Sequence, residues 1–335
     1  MSQVAIEQAL FTREQNRAPQ LISRSPGFRE EWLPLARSLI LGFGERPPGV
    51  ACEGAVFACP LNGEHVAIVQ VSDLANHTLS EPLGFHFLVI ARCDYEPLFG
   101  DPFALTKRLP ATWEMSEEVP TLLMPREPQP PRTLADVQQV LKRVKASALS
   151  EDDDPEAPGF QRTIENSESP ALLGGVQVLV DGGRLVFERP CSDLDLVSGL
   201  WLLLPYSIRA KLWPASFAFG NAIHFDVVVV PSLDLVSLAG STTEEQAAEY
   251  PQGSYELALQ RAAESGAQED LEAVFQRRSS SEVLRFAIGL VAVLSVMMLI
   301  AQWFGSCHWP SSCNRARTAS IPTKSRMRGP SRTHQ

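Results

Sequence analysis

The sequence predicts an α+β protein with two lobes of mainly antiparallel sheet and flanking helices, a helical stalk, and one C-terminal transmembrane helix. Three observations predict it. Two turn signals, Asn62-Gly63 and Asp181-Gly182-Gly183, each sit between β-rich runs. A Pro-rich connector and an acidic stretch separate those two regions. One uncharged apolar span, "FAIGLVAVLSVMMLIAQWF", occupies residues 286–304.

The 335 residues are enough for two lobes, each with its own core. The expected division is 1–125 for the first lobe and 126–170 for connector, amphipathic helix and acidic linker. The second lobe follows at 171–240, the stalk at 241–282, the transmembrane helix at 283–305 and a basic disordered tail at 306–335. In the first lobe, "VAIEQALFTR" reads as an opening strand. "PGFREEWLPLARSLILGFG" carries Trp32, Leu33, Leu35, Ala36, Leu39 and Ile40 at helical spacing. "GAVFACPL" and "HVAIVQVSD" are two strands about the Asn62-Gly63 turn, and "GFHFLVIARC" is a strand apolar enough to be central. "DYEPLFGDPFALTKRLPATW" reads as a punctuated loop.

After "MPREPQPPR" comes the clearest soluble helix, "TLADVQQVLKRVKASAL", with Thr133 able to cap it. The acidic run 151–169 buries little and is expected to be a flexible linker. In the second lobe, "GVQVLVDGGRLVFERP" reads as a hairpin. "SDLDLVSGLWLLLP" reads as a helix capped by Ser192 and ended by Pro205. "AIHFDVVVVP" is a buried strand with His224 at its face or edge. The Ala/Glu/Gln-rich residues after Gly240 form the stalk.

Arg285 at one end of the apolar span, and Trp303 and Trp309 near the other, are placed as interfacial anchors in a lipid bilayer. The start of the chain lacks a basic, uninterrupted apolar export signal. The expected arrangement is therefore single-pass, with the large N-terminal part in the cytosol. The formal net charge is −10, yet six basic and no acidic residues follow Gly305, so the rest of the chain stands at −16. An acidic body argues against nucleic-acid binding, which depends on neutralising phosphates.

No motif names a reaction. Nothing matches the phosphate-binding loop pattern, and in "GFGERPPG" Pro47 and Pro48 prevent a helix N-terminus. His86 and Cys93 lie seven apart on one predicted strand, on opposite faces. Cys52, Cys59, Cys93 and Cys191 read as reduced structural thiols. Asp193 and Asp195 suit a helix start better than a metal. Cys307, His308 and Cys313 supply only three metal candidates, and a Cys307–Cys313 disulfide is as good a reading. No catalytic residue, metal or cofactor is expected. Arg209, four residues after Pro205, is expected to bond carbonyls at the end of the preceding helix or a nearby acid.

The combination "IEQALF", "SRSPGF", "GFHFLVI" with "DPFAL", and "LLPYSIRAKLWPASFAFG…FDVVVVP" resembles the N-terminal domain of bacterial GTPase-associated protein 1. The resemblance runs from Val4 to Pro231. It rests on Gln8, Ser25-Pro26-Gly27, His86, Pro205, Arg209 and Ser216-Phe217. Ala218 departs from the family's usual Ser or Thr. The resemblance implies a non-enzymatic adaptor or scaffold of a bacterial multi-protein defence or signalling system, with protein partners that include a GTPase encoded nearby; with the apolar span, the expected protein is a membrane-anchored adaptor. It makes Gln8, His86, Arg209, Ser216 and Phe217 structural or interface residues. The alternatives are a hydrolase-like enzyme with a thiol or carboxylate site and a ligand-sensing membrane-anchored domain.

Overall fold

The computed structural model describes residues 3–15, 17–74, 82–96, 100–109, 111, 119–126, 132–141, 171–233, 238–276, 288 and 290–300. The chain forms two compact units, Met1–Ser279 and Ser280–Gln335.

In the first unit the strands are β1 (Gln3–Arg13), β2 (Gln20–Arg24), β3 (Ala55–Pro60), β4 (His65–Asp73), β5 (Leu83–Ala91), β6 (Leu122–Pro125), β7 (Leu185–Glu188), β8 (Pro214–Ala215), β9 (Val227–Val230) and β10 (Thr242–Thr243). The helices are α1 (Trp32–Gly42), α2 (Arg92–Tyr95), α3 (Pro102–Arg108), α4 (134–141), α5 (Ala171–Val180), α6 (Leu194–Leu203), α7 (Tyr206–Arg209), α8 (Glu244–Ala248), α9 (Ser254–Ser265) and α10 (Gln268–Phe275).

The two expected lobes share one mixed ten-stranded sheet, ordered β10-β7-β9-β8-β3-β4-β5-β1-β2 with β6 on β1. The β3–β4, β4–β5 and β1–β5 pairs are antiparallel, as the hairpin signal and apolar runs predict. The second half is parallel instead: β7 pairs β9, β8 pairs β9 and β10 pairs β7, all in parallel. Parallel pairing needs crossover connections, and α6 with α7 supplies the one between β7 and β8. The join between the halves is β8, which pairs with β3 through Phe57 and Ala215. Two residues of strand leave no periodic signal, so the sequence reads as two lobes where the structure has one sheet.

The "GVQVLV" run is the second correction. Ala171–Val180 is a helix, not the first arm of a hairpin. Eight of its residues are buried, from Ala171 to Leu179, so it shows no amphipathic stripe to distinguish it from a strand. Gly182 N–H donates to Leu179 O (3.1 Å) and Gly183 N–H to Val178 O (2.9 Å), so Asp181-Gly182-Gly183 ends a helix. Gly174 faces α8: a β-carbon there would lie 1.9 Å from the Ala247 carbonyl oxygen. A backbone oxygen cannot swing aside. Gly174→Ala is therefore expected to cost about 2 kcal/mol by overpacking, despite alanine's better helix propensity. Thermal melting checks this; an unchanged melting temperature would show that α5 and α8 do not meet this closely.

Smaller corrections follow the same logic. The expected loop after β5 holds α2 and α3, with Asp101 capping α3 through Ala104 N–H (3.0 Å). Asp193, not Ser192, caps α6 through Leu196 N–H (2.9 Å). His224 is not in a strand; it sits in a turn at φ 64°. The stalk belongs to the first unit: Tyr255, Leu259, Leu271 and Phe275 of α9 and α10 are buried. The Tyr255 hydroxyl donates to Leu203 O at 2.6 Å. Polar exposed faces hid this docking.

The transmembrane expectation fails as well. Among the described residues no helix is long and apolar enough to cross a membrane. In the second unit residues 290–300 are helical and exposed. The single-pass membrane localisation and its orientation are withdrawn with the span. Arg285, Trp303 and Trp309 lie outside the described residues, as do Cys307, His308, Cys313 and the acidic run 151–169.

Candidate functional site

The residues that carry the resemblance fall into three polar clusters inside the first unit. The first forms where β1 passes from pairing with β6 (Gln3 to Ile6) to pairing with β2 (Ala9 to Thr12). Gln8 and His86 are 4% and 3% exposed. Gln8 Oε1 meets His86 Nε2 at 2.8 Å, so the imidazole donates there, and Gln8 Nε2 donates to Pro120 O at 2.6 Å. The Ser25 hydroxyl accepts from Gln8 N–H (2.9 Å) and donates to Glu7 Oε2 (2.5 Å). Thr121 Oγ1 donates to the same Glu7 oxygen at 2.9 Å. A β-carbon on Gly27 would meet that carboxylate at 2.2 Å, so the Ser25-Pro26-Gly27 turn seats Glu7 by having no side chain there. Burial holds His86 down, at about 4, and the ring is neutral at physiological pH. Glu7 and Thr121 were not foreseen; both depend on a loop that no local pattern marks.

Arg209 anchors the second cluster. It is 1% exposed. Its Nη1 lies 3.2 Å from Asp101 Oδ2 and 3.4 Å from Trp201 O, a carbonyl in the last turn of α6. The guanidinium also stands 5.7 Å from the Tyr206 ring centroid. Burial lowers the affinity of Arg209 for its proton, and Asp101 opposes that shift. Trp201 Nε1 donates to Gly100 O (2.8 Å), which ties α6 to the segment that carries Asp101. Tyr95 is fully buried; burial pushes its phenol up, and Asp101 adds to the shift. Among the described residues its hydroxyl has no hydrogen-bond partner.

Ser216 builds the third cluster. Its hydroxyl accepts from Val56 N–H (2.9 Å) and its own N–H donates to Val56 O (2.8 Å). Ser216 O accepts from Asp193 N–H at 3.0 Å. Ser216 thus extends the short β3–β8 pairing and fixes the start of α6. Phe217 is fully buried, with its ring 5.6 Å from Phe219. Pro205 lies between α6 and α7, and Arg209 N–H donates to its carbonyl at 2.9 Å.

The three clusters are separate. The structure brings Gln8, Ser25 and His86 together, and leaves Arg209 and Ser216 in surroundings of their own. His86 and Cys93 do not form a pair: Cys93 is exposed on α2. Burial pushes the Cys52 thiol up to about 12 and the Cys59 thiol higher still, so neither is a thiolate nucleophile at neutral pH. Among the described residues no group of three or more His, Cys, Asp or Glu could hold a metal ion.

Sequence reasoning passed over one further residue, Arg132. It ends the Pro-rich connector beside Thr133, which caps α4 by accepting from Asp136 N–H (3.2 Å). Arg132 is 6% exposed and its Nη1 donates to the carbonyls of Leu202 and Leu204. Its guanidinium lies 3.5 Å from the Phe275 ring centroid and 4.2 Å from that of Tyr206. Burial lowers its affinity for the proton, to about 10, and nearby Arg209 adds to the shift. A lone Arg after prolines carries no pattern that distinguishes it from a surface residue.

No protein-family model matches the sequence, and the search of curated proteins gives no match.

Proposed function

We propose that the chain is a non-enzymatic adaptor that binds protein partners, one of them a GTPase, within a multi-protein bacterial system. This is the role that the resemblance to the N-terminal domain of GTPase-associated protein 1 implies. The observation that supports it most is where the polar groups of the resemblance point. Gln8, His86 and Ser25 bond one another and their neighbouring strands, Arg209 bonds Asp101 and Trp201 O, and Ser216 bonds Val56. Their hydrogen bonds hold the sheet and helix ends together, as expected of a scaffold whose work is done at its surface.

The surface agrees with this reading. The second unit exposes Ile288, Leu290, Val291, Met298 and Leu299 at 55–73%. An apolar surface of this kind is a contact surface in need of a cover.

The test is a calorimetric titration of the full chain with the purified GTPase proposed as its partner, loaded with GDP or with a non-hydrolysable GTP analogue. Saturable binding to at least one nucleotide state is expected. No heat of binding with either state would remove the GTPase from the proposal.

A further inference from the structure

A groove of about 670 Å³ lies beside α10, between that helix and the start of α4, lined by Thr133, Gln268, Glu269, Glu272, Ala273 and Gln276. Five of these six residues are polar, yet the surface they turn to the groove is mostly apolar. The reason is where their polar ends are engaged. Gln268 Nε2 donates to Arg132 O (2.8 Å) and its Oε1 accepts from Leu134 N–H (2.8 Å). Thr133 Oγ1 donates to Asp136 Oδ2 (2.5 Å), and Gln276 Nε2 donates to Glu272 Oε1 (3.1 Å). With those ends bonded, the carbon stems and the Ala273 methyl are left to form the walls.

The rim of the groove is acidic. Glu269 and Glu272 lie about one turn apart on α10, and among the described residues neither forms an ion pair. Glu272 accepts from the Tyr206 hydroxyl (3.4 Å) and from Gln276, both neutral donors that leave its charge in place. From Ser241 to Gln276 the chain carries eight Asp or Glu and one basic residue, Arg261. Of the eight, Glu244 alone is ion-paired among the described residues, to Arg189 at 2.7 Å. Arg132 does not line the groove; it is buried, with Nη1 on the Leu202 and Leu204 carbonyls.

Apolar walls under an acidic rim set the chemistry of an occupant. A phosphate-bearing polymer is repelled, and a second copy of this face would bring the same carboxylates against themselves. A helix that carries apolar side chains with Lys or Arg about one turn away answers both features. Glu269, Glu272, Ala273 and Gln276 recur at i, i+3, i+4 and i+7, so they present one seam along α10.

We infer that this seam receives a basic amphipathic helix of a protein partner, with an apolar side chain against Ala273 and Lys or Arg side chains at Glu269 and Glu272. The inference rests on the adaptor reading and gives it a contact point.

The test uses the full chain, ¹⁵N-labelled at alanine, and three capped peptides, each a threefold repeat of Lys-Ala-Ala-Leu, Glu-Ala-Ala-Leu or Lys-Ala-Ala-Gln. The Ala273 N–H resonance, identified by its loss in Ala273→Lys, reports the groove directly. The Lys/Leu peptide is expected to move that resonance saturably and the Glu/Leu peptide to leave it in place. The Lys/Gln peptide should bind about tenfold more weakly or worse, because leucine burial supplies the apolar half. Glu269→Gln combined with Glu272→Gln should weaken the Lys/Leu peptide about fivefold, the scale of two exposed ion pairs. An unmoved Ala273 resonance, equal shifts with the Lys/Leu and Glu/Leu peptides, equal binding of the Lys/Gln peptide, or an unchanged affinity in the double variant would overturn the inference. The adaptor reading fails separately. If Ala273→Lys takes up the GTPase as tightly as the wild type, the adaptor stands and the groove is not its contact. If the peptides bind as expected but the wild type takes up no GTPase, the groove stands and that partner falls.

Discussion

Between pH 6.5 and 4 the first unit is expected to lose about 3 kcal/mol of stability through His86 alone. Burial holds the ring at about 4 in the folded chain, against an ordinary value of 6.5. The native state therefore binds fewer protons than the unfolded state across that window, and stability falls as pH falls. The His86 contribution is complete above 6.5 and gone below about 4. Carboxylates also titrate in this range, so the comparison is with His86→Gln, which keeps a donor for Gln8 Oε1 and cannot take up the proton. Denaturant melts of both chains at pH 7, 5.5 and 4 give the difference. Parallel profiles for the two chains would show that His86 is solvated or protonated in the native state, and the buried Gln8–His86 bond would be wrong.

Arg209→Met is expected to cost about 3 kcal/mol, a fall in melting temperature of roughly 5–10 °C for a unit of this size. Met keeps much of the apolar stem but removes the charge that faces Asp101 and the donor at Trp201 O. Asp101 keeps its place as the cap of α3, so part of its carboxylate remains satisfied, and its side chain is 17% exposed. These two features hold the cost at the lower end of what breaking a buried pair produces. Asp101→Asn in the Arg209→Met background should add little further loss, because the pair is already gone. A full additive loss in the double variant would show that the two side chains do not interact.

How much of this was legible depended on how far a feature reached along the chain. The β3–β4 hairpin was legible because Asn62 sits in its turn, where its Oδ1 accepts from Glu64 N–H (2.9 Å) and His65 N–H (2.8 Å). The α1 stripe was legible because Trp32, Ala36 and Ile40 recur at a helical period. By contrast, α5 is buried nearly all round, and an apolar run with no polar face reads equally well as a strand. β8 and β10 have two residues each, too few for any period. The parallel half of the sheet was therefore invisible, and with it the fact that one sheet runs through both expected lobes. The expected transmembrane helix rested on composition alone, and among the described residues no helix is long and apolar enough to cross a membrane. The resemblance picked out Gln8, Ser25 and His86, yet their meeting joins residues 17 and 78 positions apart, and only the register of β1 against β2 and β5 brings it about. Arg132 had no signal at all. Its burial is a property of its neighbours in space.

The central claim is that the polar residues of the resemblance build the scaffold and that partners bind elsewhere on it. Its most direct test is the affinity of the Arg209→Lys chain for the GTPase proposed as its partner, measured below its melting transition. Lysine keeps the charge and loses the planar fork, so about 1–3 kcal/mol of stability should go. The account predicts a lowered melting temperature with an unchanged dissociation constant. A chain that melts like the wild type but binds the GTPase at least about tenfold more weakly would place Arg209 in the interface and contradict it.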